Sequence, residues 1–211
     1  MTPASQRPLF ITLEGIEGMG KSTHAPFVTE WLRRNGRRVT STREPGGTAV
    51  GEAIRAIVLD ASHERMAGLT ELLLMFAARA EHLARVIRPA LMRGEDVVCD
   101  RFTDATYAYQ GGGRGIAEVG IHSLEELVHD DLHPDLTLLL DASVDLALER
   151  VGRRGNADRF DQEQEQFFER VRAAYLRRAH LHAGRFRIID ATGPIADVRT
   201  AIEVELRRVT R

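Results

Sequence analysis

Between Gly15 and Ser22 the chain reads GIEGMGKS, a match to G-x-x-x-x-G-K-[ST], and those residue types at that spacing suit one kind of chemistry. Glycines let backbone amides curl around phosphate oxygens, the lysine ammonium reaches the β and γ phosphates of a nucleotide, and the closing serine hydroxyl ligates Mg²⁺. Gly15, Ile16, Glu17, Gly18, Met19, Gly20, Lys21, Ser22 and Thr23 are therefore the expected ATP contacts, with Lys21 catalytic and Ser22 a metal ligand. Lys21 carries a second signal: of the 29 basic residues it is the single lysine. A chain that uses arginine everywhere else keeps an ammonium where a compact, rotatable point charge is needed. Glu17 is the odd member, because a carboxylate inside a loop built for a polyanion repels it unless it faces elsewhere. It is either solvated or an acceptor for a hydroxyl or an arginine serving a second substrate.

Such a loop works only between a buried strand and a helix start. LFITLE (9–14) is almost continuously apolar, as a strand covered on both faces is, and a helical pattern follows Gly20 as far as Asn35-Gly36, with Pro26 expected to kink it or to lie in its first two turns. Further strands are expected at RRVTST (37–42), DVVCD (96–100), DLTLLLD (135–141) and FRIID (186–190). Apolar residues at three and four spacing predict helices over 50–59 and 68–91, the second ending near Pro89. Others are expected over 103–110 and 117–130 around a flexible GGGRG (111–115), then from Val144, from Gln162 to His182, and after Pro194. Strands alternating with helices predict one α/β domain spanning 1–211, a five-stranded parallel sheet with helices on both faces and ligands at the carboxyl ends of the strands.

The remaining composition narrows the chemistry. A net charge of −2 with acids and bases interspersed gives no general attraction to nucleic acid or anionic membrane. The longest apolar runs, 72–78 and 136–140, are far short of a membrane span, and MTPASQRPLF lacks the pattern of a secretion signal, so a cytoplasmic protein is expected. The single cysteine, Cys99, excludes an internal disulfide and reads as a small buried hydrophobe, and the eight histidines show no metal-ligand spacing. A GTPase would need a guanine-reading Asn-Lys-x-Asp, but the only lysine is already in the phosphate loop. Asp100-Arg101 closes a strand where an ATP-driven motor more often carries two acids, and an arginine there suits a second phosphate.

TREPGGT (42–48), LLMFAAR (73–79), DRF (100–102), AYQGGGRG (108–115) and RRGNADR (153–159) follow one another at about the spacing seen in bacterial thymidylate kinases, which this chain resembles from about Leu9 to Asp190. The resemblance implies a P-loop nucleoside monophosphate kinase that transfers the γ-phosphoryl of MgATP to dTMP, working as a homodimer through the long 68–91 helix. Arg101 is implied to grip the acceptor phosphate bidentately with Arg43 and Pro45 beside it, and Asp100 to orient Arg101 or hold an Mg²⁺-bound water. A segment at about 150–160 resembles the family's lid. Arg154 matches best as the arginine reaching the transferred group, with Arg150, Arg153 and Arg159 as alternatives; Gly152 and Arg153 depart from the pattern of several relatives. The phosphate loop has no arginine of its own, at Met19 or elsewhere, which points to the subtype that supplies one from the lid.

For the base, the resemblance implies that Arg79 donates to thymine O4, with Thr106 and Gln110 on the N3 side. Relatives carry an aromatic four residues before that arginine; here Met75 occupies the place and Phe76 follows, so either packs on the base. Tyr109 is implied to lie against the deoxyribose, Glu17 to accept from its 3′-hydroxyl, and Ala191 and Thr192 to meet adenine through backbone. The rival readings are a kinase for another nucleoside monophosphate and a non-enzymatic ATP-binding switch.

Overall fold

The computed structural model describes residues 7–60, 66–152, 160 and 163–211. Five strands, Phe10–Glu14 (β1), Val39–Arg43 (β2), Asp96–Asp100 (β3), Leu136–Asp141 (β4) and Phe186–Asp190 (β5), form one sheet in the order β2-β3-β1-β4-β5, parallel throughout. The expected strands are all present, with β2 shifted toward Arg43. Alternate residues serve opposite faces: Ile11, Leu13 and Val98 join the larger core, while Phe10, Val97 and Cys99 join a second cluster with Leu83, Ile87 and Phe102. Burial on both faces is why β1 reads as an unbroken apolar run.

β1 lies at the centre, and the chain leaves it first toward β2 and β3 and later toward β4. The carboxyl ends of β1 and β3 therefore flank the point where the winding reverses, where open α/β sheets form a crevice. Lys21–Arg34 (α1) follows β1 and continues past Pro26, which lies in its first two turns. Ala49–Leu59 (α2) packs on Gly68–His82 (α3). Helix α3 passes through a π-helical turn, Leu83–Ile87, into Arg88–Met92 (α4). The run expected over 68–91 thus ends at Met92, within one residue, but it is not uniform: the widened turn accommodates Pro89, which has no N–H to donate.

The second departure lies nearer the site. Thr103–Thr106 (α5) continues as a π-helical turn over Tyr107–Gly113, so Gly111, Gly112 and Gly113 of the expected flexible loop are helical and only Gly115 lies beyond the turn. A Cβ on Gly112 would stand 2.6 Å from the Ala174 Cβ and 2.9 Å from the Arg170 carbonyl oxygen, and one on Gly113 would stand 2.5 Å from the Phe167 ring. Gly112 and Gly113 let this turn press against Glu165–Leu181 (α8); they are packing residues. Glu118–His129 (α6), Val144–Gly152 (α7) and Ile195–Val209 (α9) complete the helices among the described residues. The start of α8 was expected at Gln162, which lies outside them, as do Arg153, Arg154 and Arg159 of the expected lid.

Candidate active site

The phosphate loop joins Glu14 to α1. Gly20, with φ 82°, caps the helix through its carbonyl, which accepts from the Thr23 and His24 amides, and the amides of Lys21 and Ser22 remain for an anion. Gly18 has φ 77° and lies so close to α7 that a Cβ would be 2.3 Å from the Ala147 carbonyl oxygen. Met19 is buried in the core, so its contribution to a nucleotide site is limited to backbone. Lys21 is buried, and its Nζ donates to the carbonyls of Gly15 and Ile16, each at 2.8 Å. Burial, then the Arg101 guanidinium, lowers its pKa to about 8 against the pull of Asp100, Glu17 and Glu14.

Arg101, first residue after β3, adopts φ 68°, a left-handed conformation uncommon outside glycine. That turn brings its guanidinium under the phosphate loop. Nη1 donates to the Gly15 carbonyl at 2.9 Å and to the Tyr175 hydroxyl at 3.1 Å, and Nη2 donates to Glu17 at 2.7 Å and to the Tyr109 hydroxyl at 3.0 Å. Tyr109 in turn donates to Glu17, and Tyr175 donates to Glu14 at 2.8 Å. Burial pushes both phenols well above their usual range, which keeps them as donors. Glu14 also accepts from the Phe102 amide at 2.7 Å; burial, then Asp104, raises its pKa to about 8.

Two sequence expectations change here. The four Nη hydrogens of Arg101 all have protein acceptors, so a bidentate grip on a phosphate requires exchanging some of them. Asp100 is not among those acceptors, so it does not orient Arg101. Its Oδ1 is buried without a hydrogen-bond partner among the described residues, beside Lys21 and Ser22 in one cavity.

That cavity is also lined by Arg43 and shares Glu17, Glu44, Arg55 and Arg101 with a second. The second is lined further by Pro45, Met75, Arg79, Thr106, Tyr109 and Gln110. Arg79 is fixed at two points, with Nε donating to Glu44 at 2.7 Å and Nη2 to Thr106 at 3.0 Å, while its Nη1 is buried with no partner among the described residues. Met75 lines the cavity and Phe76 does not. Phe76 packs with Leu72, Tyr107 and Ile121, so its expected contact with the base is corrected: it supports Arg79 from behind, with the guanidinium 4.9 Å from its ring centre. Met75 and Arg79 share a face of α3 at a spacing of four, whereas Phe76 points to the next face.

On the other side of Gly18 and Gly20 lies a third cavity, lined by Thr23, His24, Arg150, Ala191 and Ile195. Arg150 belongs there. Its Nη1 donates to the Ala191 carbonyl at 2.9 Å and its Nη2 to that of Thr192 at 3.4 Å, so it braces the turn after β5 and is not beside Lys21 and Arg101. Thr192 itself does not line the cavity; its hydroxyl donates to Asp190 at 2.7 Å.

Several site residues escaped the sequence reading. Glu44 accepts from Arg79 and from His82 Nδ1, the latter at 2.9 Å, and Arg55 lines both phosphate-side and base-side cavities. Glu71 accepts from Gln110 Nε2 at 2.7 Å, Phe160 closes the base-side cavity, and Tyr175 reaches in from α8. Glu44 stands inside TREPGGT, and Glu71 is spaced by four from Met75; both signals were available. Nothing local marks Tyr175 or Phe160.

A sequence profile of thymidylate kinases matches residues 13–202. The thymidylate kinase of Pseudomonas savastanoi pv. phaseolicola is 55% identical over 206 residues, covering 95% of this chain and 98% of its own length. That of Bordetella pertussis is 53% identical over 209 residues, 99% of this chain and 98% of its own. The crystal structure of thymidylate kinase from Ehrlichia chaffeensis superposes with a TM-score of 0.75 at 33% identity, covering 94% of this chain and 98% of that one. With the five-stranded sheet and the loop geometry above, these matches show that the chain belongs to the thymidylate kinase family.

Proposed function

We propose that this protein, a single P-loop kinase domain, transfers the γ-phosphoryl of ATP to dTMP, giving ADP and dTDP. The observation that carries the reading is the shared wall of two cavities: one around Arg79, Thr106 and Gln110 and one around Lys21 and the phosphate loop are both lined by Glu17, Glu44, Arg55 and Arg101. In the reaction a dTMP phosphate oxygen bonds to the γ-phosphorus as the bond to the β,γ-bridging oxygen breaks. The attacking oxygen is already ionised at neutral pH, since a phosphate monoester has a second pKa near about 6, and so no general base is needed. The task is to bring two polyanions together, which cationic groups and loop amides do.

The family supports ATP as donor, and the residues give a division of labour. Lys21 and the loop amides hold the donor phosphates. Arg101 and Arg43 hold the acceptor phosphate; as it enters, it displaces Glu17 from Arg101 and leaves that carboxylate to accept from the sugar hydroxyl. Tyr109 packs on the deoxyribose, Met75 lies on the base, and Arg79 donates to O4 through its spare Nη1. Ala191 borders the adenine end. The lid arginine is assigned to Arg154, with Arg153 and Arg159 as neighbours.

Mg²⁺ fits the donor set: Asp100 Oδ1, without a partner among the described residues, and the exposed Ser22 hydroxyl border one cavity, and hard oxygen ligands completed by substrate phosphates are what this ion prefers. When bound it would offset charge on the β and γ oxygens.

A homodimer is part of the proposal. Val50 and Ile57 of α2 and Leu69 and Leu73 of α3 are exposed apolar side chains on two adjoining helices. A cytoplasmic setting fits these substrates, the free buried Cys99, and a chain in which no described helix is long and apolar enough to cross a membrane. The deciding experiment is ADP release on a panel of monophosphates. dTMP is expected to be the best acceptor; a higher kcat/KM for dCMP or AMP, or ATP binding without turnover, overturns the reading.

A further inference from the structure

Gln110 is buried and lines the base-side cavity, and its Nε2 lies 2.7 Å from Glu71 Oε1. Glu71 is itself fully buried, and Arg114 stands 3.4 Å from its other oxygen. A carboxylate only accepts, so the amide group facing it must be the NH₂ and not the oxygen. The Gln110 side chain is thereby fixed in one of its two orientations, with the carboxamide oxygen left over. Arg79 is constrained in the complementary sense. Glu44 and Thr106 take its Nε and Nη2 and leave Nη1 as a buried donor.

We propose that Glu71 is a positioning residue for base selection: by holding the Gln110 NH₂ it turns an acceptor toward the base while Arg79 presents a donor. This rests on the reading of the cavity as a pyrimidine site. A pyrimidine with a 4-oxo group and an N3–H matches one donor beside one acceptor. Cytosine offers the reverse, an amino donor at C4 and a bare acceptor at N3, and leaves both protein groups opposed to like partners. The locking of Gln110 is what makes the second half of that mismatch costly, because a free carboxamide would flip to suit either base. Glu71, Met75 and Arg79 stand four apart on α3, so one helix face carries the lock, the packing surface and the donor.

The test is the ratio of kcat/KM for dTMP over dCMP in the full-length enzyme. In Glu71→Gln the side chain can donate as well as accept, so Gln110 is released, and the ratio is expected to fall on the order of tenfold while the KM for ATP is unchanged. Glu71→Asp, still acceptor-only, is expected to hold the ratio closer to wild type. Glu163→Gln, which weakens Arg114 from its other side, is expected to leave the ratio alone. An unchanged ratio in Glu71→Gln, or an equal fall in Glu163→Gln, overturns the role of Glu71. A wild-type ratio near one instead overturns the reading of the cavity as selective for dTMP. Should Glu71→Gln not fold, hydrogen exchange of the Gln110 side-chain NH₂ in wild type decides: slow exchange supports the lock, and exchange at the rate of an exposed amide refutes it.

Discussion

Arg101 Nη2 donates to Glu17 Oε1 at 2.7 Å, tying the first residue after β3 to the middle of the phosphate loop. The same guanidinium reaches Gly15, Tyr109 and Tyr175, so donor loop, sugar-side tyrosine and α8 meet on one planar cation. A lysine at this position keeps the charge and loses the fork. Arg101→Lys is expected to lower kcat about 10²-fold or more, with circular dichroism still that of the folded protein. Turnover within a few-fold of wild type would refute the role given to Arg101.

Lys21 differs in kind. It is buried against two carbonyls of the loop it belongs to, and polyphosphate is the ligand that would draw it off them. Lys21→Ala is expected to cost several orders of magnitude in kcat while circular dichroism stays that of the folded protein. Near-normal turnover would sink the phosphate-loop assignment.

Met75 and Phe76 are neighbours in sequence with opposite expected phenotypes. Phe76 is 3% exposed, so Phe76→Ala is a cavity mutation, expected to cost about 3–5 kcal/mol of stability. Met75 faces the cavity, so Met75→Ala is expected to raise the KM for dTMP with a smaller loss of stability and no change in the KM for ATP. Paired thermal melts and steady-state kinetics check this; equal effects of the two substitutions on KM for dTMP would contradict the assignment.

Lys21 was legible because its signal is local: loop, strand and helix are contiguous, and the spacing alone carries the chemistry. Four of the five strands were legible for the same reason, each being a short run rich in apolar residues; β2, VTSTR, holds one apolar residue, and its expected bounds were shifted. Tyr175 and Phe160 were not, because they join the site through the packing of α8 and its approach, and tertiary contact leaves no mark in a short window. Arg150 was misplaced because a basic residue near a lid-like string carries no direction; the carbonyls of Ala191 and Thr192 set it. GGGRG was misread because glycine signals both freedom and closeness, and only the facing helix tells which applies.

That distinction is measurable. Gly112→Ala places a methyl 2.6 Å from the Ala174 Cβ, and overpacking of this kind is expected to cost about 1–3 kcal/mol. Because the turn also carries Tyr109 and Gln110, the KM for dTMP should rise with it. Gly120→Ala in α6 meets nothing within 4 Å and is expected to be neutral or to stabilise by up to about 1 kcal/mol. A harmless Gly112→Ala would restore the flexible-loop reading.

Glu14 and Lys21 give stability a characteristic dependence on pH. Burial, then Asp104, raises Glu14 from 4.5 to about 8, so between those values the folded protein holds a proton that the unfolded chain has lost, and stability falls as pH rises. Burial, then Arg101, lowers Lys21 from 10.5 to about 8. Above about 8 the unfolded chain holds the extra proton, and stability contributed by this group recovers as pH rises. Each limb has a slope of at most about 1.4 kcal/mol per pH unit. The pair therefore contributes a minimum near pH 8, which denaturant titrations across pH 5 to 10 would resolve by difference between variants. Glu14→Gln should flatten the acid limb alone, and Lys21→Met the alkaline limb alone. If either substitution flattened neither limb, the protonation assigned to that residue would be wrong, and with it the view that burial governs charge beneath the phosphate loop.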